Sequence, residues 1–243
     1  MSWMRIEAFA GWDFLIPEKG PEYTPNEPFV MTSPSEGHVY DTACKFAVSR
    51  LGSGEGRRCL VAGSPPFEVH ALESAGWNVT LVDVRRPPDR KLRWVGADVS
   101  RLPFPDSTFD ALSSTCCFCH VGLGRYGDPC HPEGDIRALS EAFRVLKPGS
   151  RAAVMLGPSV PTDRVLPKTI VSGVTHRIYK PADAMERVQG AGFRILETGF
   201  WEVMQKTWLD PQEVETYYCN YLAADQTGGI PYCYLDFLLE KPR

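Results

Sequence analysis

The stretch CLVAGSPPFEVHALESAGWNVTLVDV, residues 59–84, decides the fold. Cys59 to Gly63 is a short apolar run of strand type, and Phe67 to Ala75 has helical composition and is stopped by Gly76. Asn78 to Val84 is a second apolar run, and Asp83 closes it with a carboxylate about twenty residues beyond Gly63. Strand, turn, helix and strand in this order outline a nucleotide-binding βαβ unit. The turn itself is Gly63-Ser64-Pro65-Pro66, with one glycine where such turns usually carry two or three.

The same alternation continues downstream. Leu92–Val95, Asp110–Thr115 and Arg151–Leu156 read as a third, fourth and fifth strand. Helices are expected at Asp135–Leu146, ahead of the turn Lys147-Pro148-Gly149, and at Pro181–Ala191, which opens on a proline. Arg194–Phe200 and Tyr234–Glu240 are the last two strands and are best placed as an antiparallel pair at one edge. Between them, 207–231 reads as a helix plus loop insertion. Upstream, Val39–Arg50 forms a short helix, and the prolines of residues 1–40 impose an extended, aromatic-rich cap. The expected organisation is an N-terminal arm over 1–56 and an α/β domain over 57–243.

Composition narrows the function classes. The 243 residues are 43% hydrophobic and 23% charged, with a formal net charge of −4. That balance gives no support to nucleic-acid binding. Arg85, Arg86, Arg90, Lys91 and Arg93 form a local basic run that reads as a solvated loop. No apolar run reaches the roughly 18 residues of a membrane span, and residues 1–20 do not read as a signal peptide. The eight cysteines sit mostly in or beside expected strands, so reduced thiols in a cytoplasmic protein are the default expectation.

In open α/β sheets ligands lie outside the carboxyl ends of the strands. Here those ends carry Gly63-Ser64, Asp83, Ala97-Asp98-Val99, and Thr115 to His120. Asp83 can accept both hydroxyls of a ribose, and Asp98 on the next strand end can reach an adenine amino group. Cys116, Cys117, Cys119, His120, Cys130 and His131 raise a competing zinc or redox-thiol reading. Burial at the end of a core strand is favoured over it, so no metal is expected.

The ordered set VAG, LVDV, GADVSRLPFPDSTFDAL and EAFRVLKPGSRAAVM resembles the class I S-adenosylmethionine-dependent methyltransferases over about residues 57–200 plus the last strand. A narrower likeness, to an uncharacterised methyltransferase-like subgroup, rests on HVGLGRYGDP, residues 120–129, and HRIY, residues 176–179. The resemblance implies a Rossmann-like three-layer α/β sandwich. Its mostly parallel seven-stranded sheet would have the order 3-2-1-4-5-7-6 with an antiparallel edge strand.

The resemblance further implies S-adenosylmethionine as cofactor, held by Gly63, Ser64, Glu68, Asp83, Asp98, Val99 and Thr115. Ser64 and Glu68 would replace the missing glycines at the methionine end. Gly124, Arg125, Tyr126 and Arg177 fall where the family binds its acceptor, expected here to be a small molecule such as a sugar or glycan precursor. His120 is the candidate general base, with Asp128 and His176 behind it. The single-glycine turn also supports a different class, a non-catalytic or altered-ligand binding protein on the same scaffold. A nicotinamide oxidoreductase is disfavoured by the absent pyrophosphate fingerprint. No nucleic-acid or membrane partner is expected, and self-association is left open.

Overall fold

The computed structural model describes residues 38–159, 169–172, 176–202, 206–210, 214 and 233–243. Residues 1–37 of the expected 1–56 arm and most of the 207–231 insertion lie outside them. Helix α1 spans Val39–Leu51, β1 Arg58–Ala62, α2 Pro66–Ser74, β2 Asn78–Val82, β3 Trp94–Val95 and β4 Phe109–Thr115. There follow α3 Gly134–Val145, β5 Leu146–Ser159, β6 Ile170–Ser172, β7 His176–Ile178 and α4 Pro181–Gly190. Strands β8 Arg194–Glu202, β9 Thr207–Leu209 and β10 Cys233–Glu240 complete the order.

One sheet of eight strands runs β3-β2-β1-β4-β5-β10-β8-β9. Its first seven positions reproduce the expected order. β9 adds an outer strand, antiparallel to β8, in a segment expected to be helix and loop. β10 runs antiparallel between β5 and β8. The strands from β3 to β5 are parallel, and β6 and β7 form a separate two-stranded ribbon.

Parallel strands buried on both faces need continuous apolar runs, and Cys59 to Ala62 of β1 are all inaccessible to solvent. Val69 and Leu72 of α2 pack with Cys59, Val61, Leu81 and Trp77 on one face. Phe46 and Ala47 of α1 cover Ala153 and Leu238 on that same side. Ala138, Leu139, Ala142 and Val145 of α3 join Ala184 and Val188 of α4 on the other. The result is three layers, with β1 and β4 at the point where the chain reverses its direction of travel across the sheet. Helix α1, assigned by sequence to the arm, packs directly on the sheet as part of this unit.

Candidate functional site

The carboxyl ends of β1 to β4 open into a cavity. Gly63, Pro65, Asp83, Asp98, Val99, Thr115, Cys116, Cys117, His120, Val121, Tyr126 and Asp128 line it, together with Tyr40 from the start of α1. Gly63, Asp83, Asp98, Val99 and Thr115 are thus brought together as the strand order requires.

The turn after β1 behaves differently from expectation. Gly63 has φ +62°, and a Cβ there would collide with Cys117 Sγ, so glycine is required at this one position. Ser64 is buried: its Oγ accepts the Thr115 backbone N–H (2.7 Å) and its hydroxyl points at the Ala62 carbonyl (3.4 Å). Glu68 is fully buried and accepts a short hydrogen bond from the Ser113 hydroxyl. Burial pushes its carboxyl above the usual range, against the opposing hydrogen bonds of Ser113, Thr115 and Ser64.

The cause of this orientation lies in the two prolines. Pro65 is the N-cap of α2 and has no N–H, so Glu68, at the third helical position, has no capping box to close. It turns inward toward β4. Neither Ser64 nor Glu68 lines the cavity, so neither is placed to hold the methionine end of a cofactor.

Asp83 is held from within its own loop. Its Oδ1 accepts from the Arg85 backbone N–H (2.7 Å) and from Nε (3.1 Å), while Oδ2 accepts from Nη2 (3.0 Å). The Arg85 guanidinium also lies 4.3 Å from the Tyr126 ring centroid, a cation–π contact. Arg85 is therefore buried, unlike Arg86, Arg90, Lys91 and Arg93, which are exposed as a solvated run should be. Asp98 Oδ1 accepts the Ser100 backbone N–H (2.8 Å), fixing the turn after β3.

At the end of β4 the chain kinks. Cys116 has φ +55°, uncommon for a residue with a Cβ. A short 3-10 helix, Phe118–His120, follows. Cys116 Sγ lies 3.6 Å from Cys119 Sγ and 4.0 Å from His120 Nε2. His120 Nδ1 faces Arg125 Nη1 at 3.2 Å.

Arginine has no acceptor, so Nδ1 accepts that bond and the imidazole proton of neutral His120 resides on Nε2, aimed at the sulfur. The Cys119 thiol, and then His120 and Arg125, hold Cys116 well below the usual thiol range despite its burial. Burial and the Cys116 charge push Cys119 up. The three ligand atoms lie within 4.8 Å of one another. The Arg125 contact nevertheless gives His120 the tautomer that presents an N–H to Cys116, whereas ligation of an ion through Nε2 needs a lone pair there.

The loop after His120 is a braced turn. Asp128 lines the cavity, but its Oδ2 accepts the Gly122 N–H (2.6 Å) and its Oδ1 the Tyr126 N–H (3.2 Å). It therefore organises the loop and does not back His120. Gly124 is buried at φ +72° as part of that turn, and Arg125 reaches His120 and the Tyr126 ring from behind the cavity wall.

His176 stands edge-on to His120, ring centroids 6.2 Å apart. Burial above all pulls its imidazole down to about 4. Arg177 is buried with its donors on the carbonyls of Val121 (2.6 Å), Pro132 (3.1 Å) and His131 (3.3 Å), beside the carboxylate of Asp135 (3.4 Å). It fastens the loop to the core and does not face the cavity.

Three lining residues escape a reading of motifs. Tyr40 lies at the start of α1 and reaches the site only because α1 packs on the sheet. Cys117 looked like core filling, and Arg85 looked like part of a solvated run. The sole sequence signal for Arg85 is its position two residues beyond a strand-end aspartate.

Residues 50–154, which include β1 to β4 and their cavity-lining ends, match the family model described as a methyltransferase domain. That stretch of the chain is therefore similar to a methyltransferase domain. Among curated relatives, the domain is similar to the demethylmenaquinone methyltransferase of Thermus thermophilus, 29% identical over 147 residues, 57% of this chain and 58% of that one. It is also similar to the 2-phytyl-1,4-naphtoquinone methyltransferase of Nostoc punctiforme, 40% identical over 68 residues, 28% of this chain and 25% of that one. The matched part spans less than two thirds of the length of either relative.

Among solved structures, the chain resembles the 1,6-didemethyltoxoflavin-N1-methyltransferase of Burkholderia thailandensis, solved with bound 1,6-didemethyltoxoflavin and S-adenosylhomocysteine. The TM-score is 0.59 at 16% identity, covering 86% of this chain and 80% of that one. The cyclase SpnF superposes with a TM-score of 0.57 at 20% identity, covering 90% and 86%. At such identities the likeness establishes the fold, and function is argued from the site.

Proposed function

We propose that the protein transfers the methyl group of S-adenosylmethionine to a small-molecule acceptor. The observation that carries this reading is the cavity at the sheet's switch point, flanked by Asp83 after β2 and Asp98 after β3. A carboxylate at the first place accepts ribose hydroxyls, and one at the second reaches the adenine amino group. The Burkholderia enzyme, solved with bound S-adenosylhomocysteine, supports that cofactor.

The methionine end must be met by groups other than Ser64 and Glu68. Other residues that line the cavity, among them Thr115 and Gly63, are the candidates for that part of the ligand. Methyl transfer is an in-line displacement at carbon, in which positioning of acceptor and sulfonium supplies much of the acceleration. His120 donates toward Cys116 and accepts from Arg125, so it orients the cavity wall. An acceptor that ionises easily, such as a phenol or hydroquinone, suits this site because it needs little help from a base.

Much of the cavity lining is apolar or aromatic: Pro65, Val121, Tyr40 and Tyr126. A sugar would require several side-chain donors and acceptors aimed into the cavity, and Asp128 and Arg125 are already engaged. A flat hydroxylated ring fits better, in keeping with the quinone methyltransferases among the relatives.

A second reading, an altered-ligand or non-methylating member, draws on the inward turn of Ser64 and Glu68 and on Arg85 gripping Asp83. The cyclase SpnF has a similar fold. Incubation with methyl-labelled S-adenosylmethionine and a panel of hydroquinones, phenols and sugars separates the two. Label in an aromatic product, lost in Asp83→Ala, supports methyl transfer. Cofactor binding with no labelled product anywhere in the panel supports the second reading.

A further inference from the structure

The thiol cluster at the end of β4 is absorbed by neither reading of the cavity. Cys116 and Cys119 stand at C-x-x-C spacing across the start of the short 3-10 helix, and their sulfurs are 3.6 Å apart. A disulfide bond is about 2.05 Å long, so closing this gap needs each sulfur to move by less than about 1 Å. Cys116 lines the cavity, whereas Cys119 has no exposed surface. One sulfur is therefore open to a small reagent and the other sits directly behind it.

The surroundings differentiate the two. His120 Nε2–H points at Cys116 Sγ, and the Arg125 guanidinium fixes that tautomer by donating to Nδ1. A donor and a nearby cation favour the thiolate form of the sulfur they face. Cys119 has the Cys116 carbonyl and sulfur as its polar neighbours, with the Arg177 guanidinium on its own carbonyl. The left-handed backbone at Cys116 is a local strain of the kind that gathers at reactive positions.

We propose that Cys116 and Cys119 form a thiol–disulfide exchange site in the cavity wall, Cys116 attacking and Cys119 resolving, with small organic disulfides as the oxidant. The Cys116 thiolate attacks one sulfur of the external disulfide, forming a mixed disulfide and expelling the other half as a thiolate. Cys119 passes its proton to that leaving thiolate and attacks Cys116 Sγ. The intramolecular bond forms and the second half leaves as a thiolate, protonated by solvent. Two protein thiols are oxidised and one external disulfide is reduced to two thiols. The chemistry is independent of methyl transfer, so either reading can fail alone.

The test treats reduced full-length protein, in a Cys117→Ser background, with hydroxyethyl disulfide, then alkylates it and maps peptides by mass spectrometry. The tryptic peptide from Leu102 to Arg125 then carries Cys116 and Cys119 as its only cysteines. The expected result is a loss of two hydrogens from that peptide, reversed by dithiothreitol. Cys119→Ser should arrest at a mixed disulfide on Cys116, and His120→Ala should slow its formation at neutral pH by about tenfold or more. Cys130→Ser should change nothing in this peptide. Three outcomes would overturn the proposal: Cys116 left unmodified while Cys130 reacts, a Cys119→Ser protein without the mixed disulfide, or a stoichiometric metal bound through these thiols in the purified protein.

Discussion

Arg85 closes a two-pronged ion pair on Asp83 in the cavity lining, Nε to Oδ1 at 3.1 Å and Nη2 to Oδ2 at 3.0 Å. The carboxylate that the cofactor reading needs most is thus already occupied. A ribose must displace at least one arm of the guanidinium, while the Arg85 backbone N–H can keep its bond at 2.7 Å.

Removing that competitor should strengthen cofactor binding. A net hydrogen bond contributes about 0.5–1.5 kcal/mol, which corresponds to roughly two- to tenfold in affinity. Arg85→Ala is expected to bind S-adenosylhomocysteine more tightly by that factor in isothermal calorimetry. A clear loss of affinity would instead make Arg85 part of the ligand's own contacts.

Glu68 gives a pH signature. Its folded-state carboxyl is raised above the ordinary value by burial, so the native state keeps a proton that the unfolded chain has released. Stability from this group is present below the unfolded value near 4.5 and falls as pH rises through the raised folded value. Glu68→Gln keeps the shape and the acceptor for Ser113 without the charge. Thermal melts from pH 5 to 8 should show a shallower decline for the variant than for the parent, and equal slopes would mean that Glu68 does not titrate in this range.

Arg177 tests whether the loop is fastened as described. Removing one member of a buried, hydrogen-bonded pair costs about 3–5 kcal/mol. Asp135 keeps Arg187 (3.0 Å) and the Tyr179 hydroxyl (3.0 Å), which argues for the lower end. Arg177→Met is expected to lose about 3 kcal/mol in urea denaturation and to weaken ligand binding through a loosened 121–132 segment. A loss below about 1 kcal/mol would make the carbonyl contacts dispensable.

The sheet was legible because runs such as Asn78–Val82 and Phe109–Thr115 are apolar, short and separated by helical segments with clear stops. The strand-end positions of Asp83, Asp98 and Thr115 followed from that register alone. Side-chain direction did not. Ser64 and Glu68 stand next to the cavity in sequence yet face the core, because Pro65 denies α2 an ordinary cap.

Arg85 and Arg177 read as solvent or substrate groups, since a sequence does not reveal that a guanidinium will be buried against Asp83 or against backbone carbonyls. Tyr40 arrives by packing of α1, a tertiary contact with no local signature. β9 was missed because three residues in a segment rich in acids and tyrosines carry too little alternation to register.

The central claim is that Asp83 and Asp98 flank an adenosyl site. Titration of S-adenosylhomocysteine into the parent protein, Asp83→Ala and Asp98→Ala tests it most directly. Saturable one-to-one binding by the parent, weakened about tenfold or more by either substitution, is the expected result. Absence of binding at millimolar ligand, or binding indifferent to both substitutions, would contradict it.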